Sequence, residues 1–192
     1  MHLDIYNETY DHFCEMISVK NVGVLEIGCG PGNITKYILS KRPDFCITGI
    51  DIAPAMIELA QKNNPSAHFE VMDSREISRI EKKFDAIICG FCIPYLSKEE
   101  TEKLILDCRN LLQENGVIYM SFVEGDYSKS GFMTASTGDR TYFYFHELKT
   151  ILENLKSSQF HSPEIMKVNF TKADGSVETH TIVLALSSSL LI

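Results

Sequence analysis

The sequence predicts an α/β fold in which helices cover both faces of a doubly wound, mostly parallel sheet. Three observations predict it. Apolar runs alternate with helical patterns over the first two thirds of the 192 residues, a glycine-rich turn follows the first run, and a hairpin signal lies near the end. Strands that alternate with helices in this way form βαβ units, whose strands are parallel.

Five apolar runs are the predicted parallel strands, and three helical segments lie between them. The strands are expected at residues 22–27, 45–51, 68–72, 84–90 and 116–123, and the helices at 33–41, 55–63 and 98–113. Pro54 suits the first turn of the second helix. Ser97 provides a hydroxyl cap for the third, and Glu99 and Glu100 place acids in its first turn, where the helix dipole favours them.

The last third of the sequence has a different pattern. A helix is expected at 146–157, followed by two strand-like runs at 164–171 and 177–186, whose Asp174-Gly175 connection is typical of a hairpin. The first twenty residues predict an amphipathic helix. Segment 124–145 lacks helical periodicity, and a segment of this length is usually functional or disordered. Its aromatic residues argue against disorder, and 141–145 alternates like a short strand. We expect one domain over 1–192, with 1–20 as a lid and 124–145 as a substrate loop.

Composition is that of an ordinary globular chain, with 44% hydrophobic and 23% charged residues. No apolar run is long enough to span a membrane, and the N-terminus lacks the pattern of a signal peptide, so we expect a cytoplasmic protein. The net charge of −8 argues against a nucleic-acid surface, which needs clustered Lys and Arg, and favours a small-molecule partner. Monomer and homodimer both stay open.

The six cysteines show no spacing typical of a disulfide framework. Cys89 and Cys92 form a CxxC pair, but a zinc site would need a second pair of ligands, so no metal is expected. A redox dithiol remains an alternative for this pair. We expect reduced thiols.

The most informative segment is VLEIGCGPGN at residues 24–33, where Gly28, Gly30 and Gly32 follow an apolar strand and open a helix. Glycine lets the backbone turn sharply and lets a ligand approach closely, and the amides at the helix start suit an anionic or nucleotide-like ligand. A tight turn without a ligand is the structural alternative. Against it, Glu26 lies inside a strand that should be buried, and a buried carboxylate needs a partner.

The dinucleotide fingerprint GxGxxG does not fit, because Asn33 occupies its sixth position. Residues 26–32, EIGCGPG, instead resemble motif I of the class I S-adenosylmethionine (SAM)-dependent methyltransferases. The resemblance covers residue 22 to the C-terminus. It implies a Rossmann-like seven-stranded sheet, mostly parallel with a C-terminal antiparallel hairpin, SAM as the cofactor, and methyl transfer to a small molecule.

The candidate cofactor residues follow from strand ends and from this resemblance. Asp51 ends the second strand 23 residues after Gly28, where a carboxylate accepts from ribose hydroxyls, although a cap for helix 55–63 is an alternative. The resemblance implies adenine packing by Ile52, and adenine contacts by Asp73 and Ser74, for which a simple polar loop is the alternative. The full set that it implies is Glu26, Gly28, Cys29, Gly30, Gly32, Asn33, Asp51, Ile52, Asp73, Ser74, Gly90, Phe91 and Tyr10. Within it, Glu26 is expected to organise the glycine loop through its amides.

The sequence indicates the residues that would bind the methyl acceptor less clearly than those that would bind the cofactor. In-line attack on the sulfonium methyl depends mainly on positioning, so a dedicated base is not required. The candidate catalytic residues are His146, for which helix capping is an alternative, and Tyr95. The candidate substrate contacts are Tyr6, Ile93, Tyr95, Phe122, Arg140, Tyr142 and Tyr144. Packing within the N-terminal helix is the alternative for Tyr6 and Tyr10, and a solvated loop residue is the alternative for Arg140.

Other functions stay open at this stage. Residues 91–96 match the D/N-P-P-Y/F signature of adenine and glutamine N-methyltransferases only in part, and Pro94 stands where many small-molecule relatives carry histidine. The alternatives are a SAM-binding protein without transferase activity, a methyltransferase acting on RNA or protein, and a nicotinamide-dependent oxidoreductase.

Overall fold

A computed structural model describes residues 3–134, 140–172 and 175–188. Its main sheet has the strand order β3-β2-β1-β4-β5-β9-β8, and β6 and β7 form a separate hairpin. The strands are β1 Gly23–Ile27, β2 Cys46–Asp51, β3 His68–Val71, β4 Phe84–Gly90, β5 Leu112–Val123, β6 Gly131–Thr134, β7 Arg140–Phe143, β8 Phe160–Thr171 and β9 Val177–Ser187. The helices are α1 Asn7–Glu15, α2 Asn33–Lys41, α3 Pro54–Asn63, α4 Lys98–Leu111 and α5 Leu148–Ser157.

The predicted fold class is confirmed. Strands β1 to β5 pair in parallel, whereas β9 pairs antiparallel with both β5 and β8. From β1 the chain adds β2 and β3 on one side of the sheet and then β4 and β5 on the other, so the switch point lies between β1 and β4. Ligands bind at such a switch point in doubly wound sheets. The C-terminal hairpin is the predicted one, although Asp174 of its turn lies outside the described residues.

Two hydrophobic cores cover the two faces of the sheet. Residues alternate between them along β1, because Leu25 packs with α4 and α5 residues, whereas Val24 packs with residues of α1, α2 and α3. This alternation is the period-two pattern of a strand buried on both faces. Within the described residues no helix is long and apolar enough to cross a membrane.

Several predicted boundaries were wrong. The N-terminal helix is shorter than expected, since a 3-10 turn at Leu3–Tyr6 precedes α1, which ends at Glu15. Helix α5 begins at Leu148 rather than at 146, and β8 begins at Phe160 rather than at 164. Helix α4 and β5 meet at Leu111 and Leu112, because Leu112 already pairs with Phe84 of β4.

Candidate cofactor and acceptor site

A cleft of about 240 Å³ opens at the carboxyl ends of the parallel strands. Six of the predicted cofactor residues line it together: Gly28, Asp51, Ile52, Asp73, Ser74 and Phe91. Ile52 is 60% exposed there, an apolar surface on which a ring can pack. The predicted substrate residue Tyr95 also lines the cleft, and sequence reasoning missed Arg75 and Cys92.

The three glycines of the loop all have a left-handed backbone, with φ of 70°, 51° and 78° at Gly28, Gly30 and Gly32. The loop is held by the Ile50 carbonyl, which accepts from the amides of Gly28 and Cys29 at 2.9 Å. A Cβ on Gly30 would meet no heavy atom within 4 Å, whereas one on Gly32 would collide with Asn64 Nδ2. Gly30 therefore faces open space, and Gly32 is required for packing.

Glu26 does not organise the glycine loop as expected. Its carboxylate is fully buried in β1 and accepts a hydrogen bond from the Thr35 hydroxyl of α2, while its Oε1 has no partner in the described part of the chain. Burial raises the pKa of Glu26 to about 7, although the Thr35 hydrogen bonds oppose the shift. Glu26 thus links the central strand to the helix behind the loop.

Asp51 lines the cleft and is also hydrogen-bonded to the glycine loop. Its Oδ2 accepts from the Gly30 amide and its Oδ1 from the Ala53 amide, both at 2.9 Å. Ala53 is the N-cap residue of α3, so the carboxylate orders the entry to that helix without being its cap residue. Asp51 can therefore order the start of α3 and also accept from a ribose hydroxyl, because each carboxylate oxygen keeps a second lone pair.

Asp73 is paired with a residue that sequence reasoning missed. Arg75 donates Nε to Oδ1 at 2.9 Å and Nη2 to Oδ2 at 2.8 Å, and it also reaches Glu100 at 3.2 Å. The Arg75 hydrogen bonds outweigh partial burial and hold the pKa of Asp73 below its ordinary value. The Asp-x-Arg spacing could have predicted this pair. Asp73 accepts from the backbone amide of Arg75 in an Asx turn, and the Arg75 side chain can then fold back onto the same carboxylate.

The end of β4 lies against the same cleft. Phe91 has φ of 56°, unusual for a residue with a bulky side chain, and its amide donates to Ser121 Oγ at 2.9 Å. A Cβ on Gly90 would collide with Ile34 Cδ1, so Gly90 has a packing role here. Its cofactor contact stays a prediction.

Three other predicted cofactor residues lie away from the cleft lining. Tyr10 is 1% exposed among aromatic rings, and its hydroxyl has no hydrogen-bond partner in the residues described. Cys29 is buried, and burial raises the pKa of its thiol. Asn33 is exposed at the first position of α2.

A largely buried chain of polar side chains lies behind Phe91, and sequence reasoning missed two of its members, His180 and Glu178. Tyr6 hydroxyl lies 2.5 Å from His180 Nδ1, and His180 Nε2 lies 3.0 Å from Glu178 Oε1. Burial disfavours the charge on Glu178, but its hydrogen bonds with Lys172 and His180 outweigh that effect and lower its pKa. An ionised Glu178 favours the Nε2–H tautomer of His180, which leaves Nδ1 to accept from Tyr6. Both rings of this pair contact Phe91.

The β6–β7 hairpin within segment 124–145 is attached to the loop after β4. Tyr144 donates its amide to the Pro94 carbonyl at 2.7 Å, and Phe143 packs edge-on against Tyr95 at 6.2 Å. Tyr142 and Arg140 lie on the exposed hairpin, and Arg140 sits over the Phe132 ring at 4.9 Å. The hairpin thus borders the side of the cleft at which Tyr95 lies.

His146 neither opens a helix nor faces the cleft. It is 1% exposed, and its Nε2 lies 3.1 Å from the carbonyl oxygens of both Ile93 and Leu96, so it donates to the loop that carries Tyr95. Burial lowers the pKa of His146 and so favours the neutral ring, although the hydrogen bonds to Ile93 and Leu96 oppose the shift. The predicted substrate residues Ile93 and Phe122 are both fully buried in the core, and Tyr6 is covered as well.

Comparison with known proteins shows which proteins this chain resembles. A family model described as "Methyltransferase domain" matches residues 24–116. An uncharacterized methyltransferase of Alkaliphilus oremlandii is 29% identical over 148 residues, which cover 75% of this chain and 67% of the relative. The demethylmenaquinone methyltransferase of Thermotoga maritima is 25% identical over 166 residues, 85% of this chain and 69% of the relative.

The chain is similar to the class I SAM-dependent methyltransferases, in sequence over residues 24–116 and in fold over most of its length. Four further curated methyltransferases match this chain over only 26% to 56% of their own length. A SAM-dependent methyltransferase from Methanosarcina mazei shares the fold, with a TM-score of 0.78, 17% identity and coverage of 92% and 97% of the two chains. SAM is the cofactor of this family, and the cleft suits it, because Gly30 leaves open space, Ile52 offers an apolar surface and Asp51 an acceptor.

Proposed function

We propose that this methyltransferase transfers the methyl group of SAM to a small-molecule acceptor. The proposal rests on one observation above all: six predicted cofactor residues, from four different strand ends, line one cleft beside Tyr95. When bound, SAM supplies a sulfonium whose methyl group is already activated for displacement. The residues of the chain have to hold cofactor and acceptor in line and exclude water.

The acceptor would lie between the cleft and the β6–β7 hairpin. Tyr95 is 55% exposed at this position, and Phe143 supports it from the hairpin. Arg140 is exposed on β7 of the same hairpin and can pair with a carboxylate or phosphate of the acceptor. The name of the Thermotoga maritima relative, a demethylmenaquinone methyltransferase, supports a small-molecule acceptor.

No general base is assigned by this arrangement. His146 uses Nε2 for the loop carbonyls and is buried, so we propose that it positions the Tyr95 loop instead of removing a proton. Tyr95 is the exposed polar candidate at the cleft. Positioning alone supplies effective molarities of about 10⁵–10⁸ M in favourable cases, which suffices for an activated methyl donor.

The test is binding followed by turnover. Calorimetry should show saturable binding of S-adenosylhomocysteine (SAH) and none of NADH. A screen of small hydroxyl, amine and carboxylate acceptors, read by SAH release, should then identify turnover that Tyr95→Ala reduces by at least about tenfold in kcat/KM. SAH binding with no turnover on small acceptors, but with turnover on RNA or protein, would overturn the small-molecule assignment. SAH binding with no turnover on any acceptor would favour a SAM-binding protein without transferase activity.

A further inference from the structure

The CxxC pair lies at the cofactor cleft, and methyl transfer makes no use of it. Cys89 is fully buried near the end of β4, whereas Cys92 is partly exposed and lines the cleft. The Cys92 Sγ lies 3.6 Å from the position that a Cβ on Gly28 would take, and its Cβ lies 3.2 Å from that position. The Cys92 thiol therefore packs against the first glycine of the cofactor loop.

The two thiols differ in their chemistry. Hydrogen bonds from Cys89 and Ser74 stabilise the thiolate of Cys92 and lower its pKa, although burial opposes the shift. The same interaction with Cys92, together with burial, raises the pKa of Cys89 well above its ordinary value. Thiolates are the nucleophilic form of cysteine, and only Cys92 of the two lines the open cleft, whereas Cys89 is fully buried. Cys92 is therefore the reactive member of the pair.

The other four cysteines lie in different surroundings. Cys14, Cys29 and Cys108 are buried, and burial raises the pKa of each thiol. Cys46 is exposed, but it is the first residue of β2 and lies at the end of the sheet opposite the cleft. Cys46 is thus an accessible thiol with no part in the cofactor site.

We propose that Cys92 is a modification site, at which a hydroperoxide oxidises the protein, and that the resulting Cys89–Cys92 disulfide lowers the affinity of the cleft for its cofactor. The Cys92 sulfur attacks one peroxide oxygen, the O–O bond breaks, and a sulfenic acid forms while the other oxygen leaves as water or alcohol. The Cys89 sulfur then displaces the sulfenic hydroxyl, which leaves as water with the Cys89 proton. The two thiols lose two electrons in total, and the peroxide gains them.

The disulfide changes the cleft because Cys92 has to move. To bond with Cys89, its sulfur leaves Gly28 and gives up the hydrogen bond with Ser74, and both of these neighbours line the cleft. Phe91 lies between the two cysteines and already has a left-handed backbone. Conversely, a cofactor bound in the cleft would cover Cys92, which lines it, so cofactor binding and oxidation should oppose each other by linkage. This inference rests on the cofactor site and not on the identity of the acceptor.

The experiment uses the whole chain, reduced and then treated with hydrogen peroxide. Mass spectrometry of unreduced digests should show a Cys89–Cys92 disulfide. Calorimetry should show SAH affinity lowered by at least about tenfold, and dithiothreitol should restore it. SAH should also slow alkylation of Cys92 by iodoacetamide, whereas alkylation of Cys46 should proceed at the same rate with and without SAH.

Variants separate the roles of the cysteines. Cys46→Ser should behave like the parent, Cys92→Ser should keep its SAH affinity after peroxide, and Cys89→Ala should stop at a sulfenic acid that dimedone traps. Melting curves establish that each variant is folded. Unchanged SAH affinity in protein that carries the disulfide, or oxidation of Cys46 without Cys92, overturns the proposal.

Failure of the proposed function would look different. A protein that binds SAH and loses it on oxidation, but methylates no small acceptor, would keep the Cys92 proposal and remove the acceptor assignment. A reduced protein that does not bind SAH would overturn the Cys92 proposal itself.

Discussion

At the scale of single residues, the three glycines of the loop have distinct functions. All three need a left-handed backbone, which costs about 1–2 kcal/mol for any residue with a side chain. Only Gly32 also lies so close to Asn64 that a Cβ would collide. Gly30 faces open space, so packing does not require its side chain to be absent. We propose that the ligand does.

Gly30→Ala should therefore lose SAH binding while the fold largely survives. We expect calorimetry to show at least about a tenfold weaker SAH affinity and denaturation to show a loss of about 1 kcal/mol. Gly32→Ala is the matched variant, with the same methyl group at the same strained backbone, and it should lose distinctly more stability. Equal stability losses in the two variants would mean that the collision at Gly32 relaxes freely.

Asp51 is both a candidate ligand residue and a structural one. Asp51→Ala leaves the amides of Gly30 and Ala53 without their acceptor, so it should weaken SAH binding and also cost about 1–2 kcal/mol of stability. Asp51→Asn keeps one acceptor oxygen and should recover part of the stability in chemical denaturation. If Asp51→Ala proved as stable as the parent, the loop would be held by the Ile50 carbonyl alone.

Sequence patterns located the site residues better than their partners. The strand ends and motif I predicted Gly28, Asp51 and Asp73, because backbone geometry places strand ends together. The hydrogen-bond partners of such residues depend on which side chains the fold brings within reach. Glu26 contacts Thr35 on the buried side of α2, and Asp73 contacts Arg75. No local periodicity encodes these contacts.

At the scale of elements, periodicity predicted every helix and strand of the main sheet, and it erred at their ends. Helix α4 and β5 follow each other directly because pairing of Leu112 with β4 outweighs the helical pattern of the sequence there. His146 was expected at the start of a helix, but it is used by the loop at Ile93 and Leu96. Tertiary contacts decide such positions, and they are not visible in a window of sequence.

The N-terminal segment gives the prediction at this scale. Tyr6 fastens Leu3–Tyr6 to β9 through His180, so Tyr6→Phe should leave the buried Nδ1 of His180 without a donor. We expect a loss of about 1–2 kcal/mol in chemical denaturation, and weaker SAH binding because Tyr6 packs on Phe91.

Tyr37→Phe provides the control for Tyr6→Phe, since it also removes one tyrosine hydroxyl. The Tyr37 hydroxyl donates to Asp11, which is partly exposed and can bind water instead. We expect Tyr37→Phe to change stability by less than about 0.5 kcal/mol. A Tyr6→Phe variant no less stable than Tyr37→Phe would show that the Tyr6–His180 contact does not hold the N-terminal segment.

At the scale of the whole molecule, the order of the strands in the sheet is seen only in the structure. Five parallel strands and a terminal hairpin can be read along the sequence, but their order in the sheet cannot. The same holds for contacts between distant parts, such as Tyr6 with His180, which lie 174 residues apart. The burial of Glu26 at the centre of the sheet is also a property of the assembled fold, and it makes ionisation of the Glu26 carboxyl group unfavourable.

Glu26 should therefore shape the pH dependence of global stability. Its pKa is about 7 in the folded protein and near 4.5 when solvated, so between these values the folded state binds more protons than the unfolded state. Stability should then fall as pH rises from about 4.5 to 7, by about 3 kcal/mol from this group. Carboxyls with lowered pKa, such as Asp44 and Asp73, contribute at lower pH and with the opposite sign.

Glu26→Gln tests this expectation, because an amide oxygen can still accept from Thr35 but does not ionise. Urea denaturation across pH 4.5 to 7 should show a shallower decline of unfolding free energy for Glu26→Gln than for the parent. The variant should be the more stable protein at neutral pH and close to the parent at the acidic end. Parallel pH profiles for the two proteins would mean that Glu26 is ionised in the fold at acidic pH, with its unpartnered Oε1 satisfied by water.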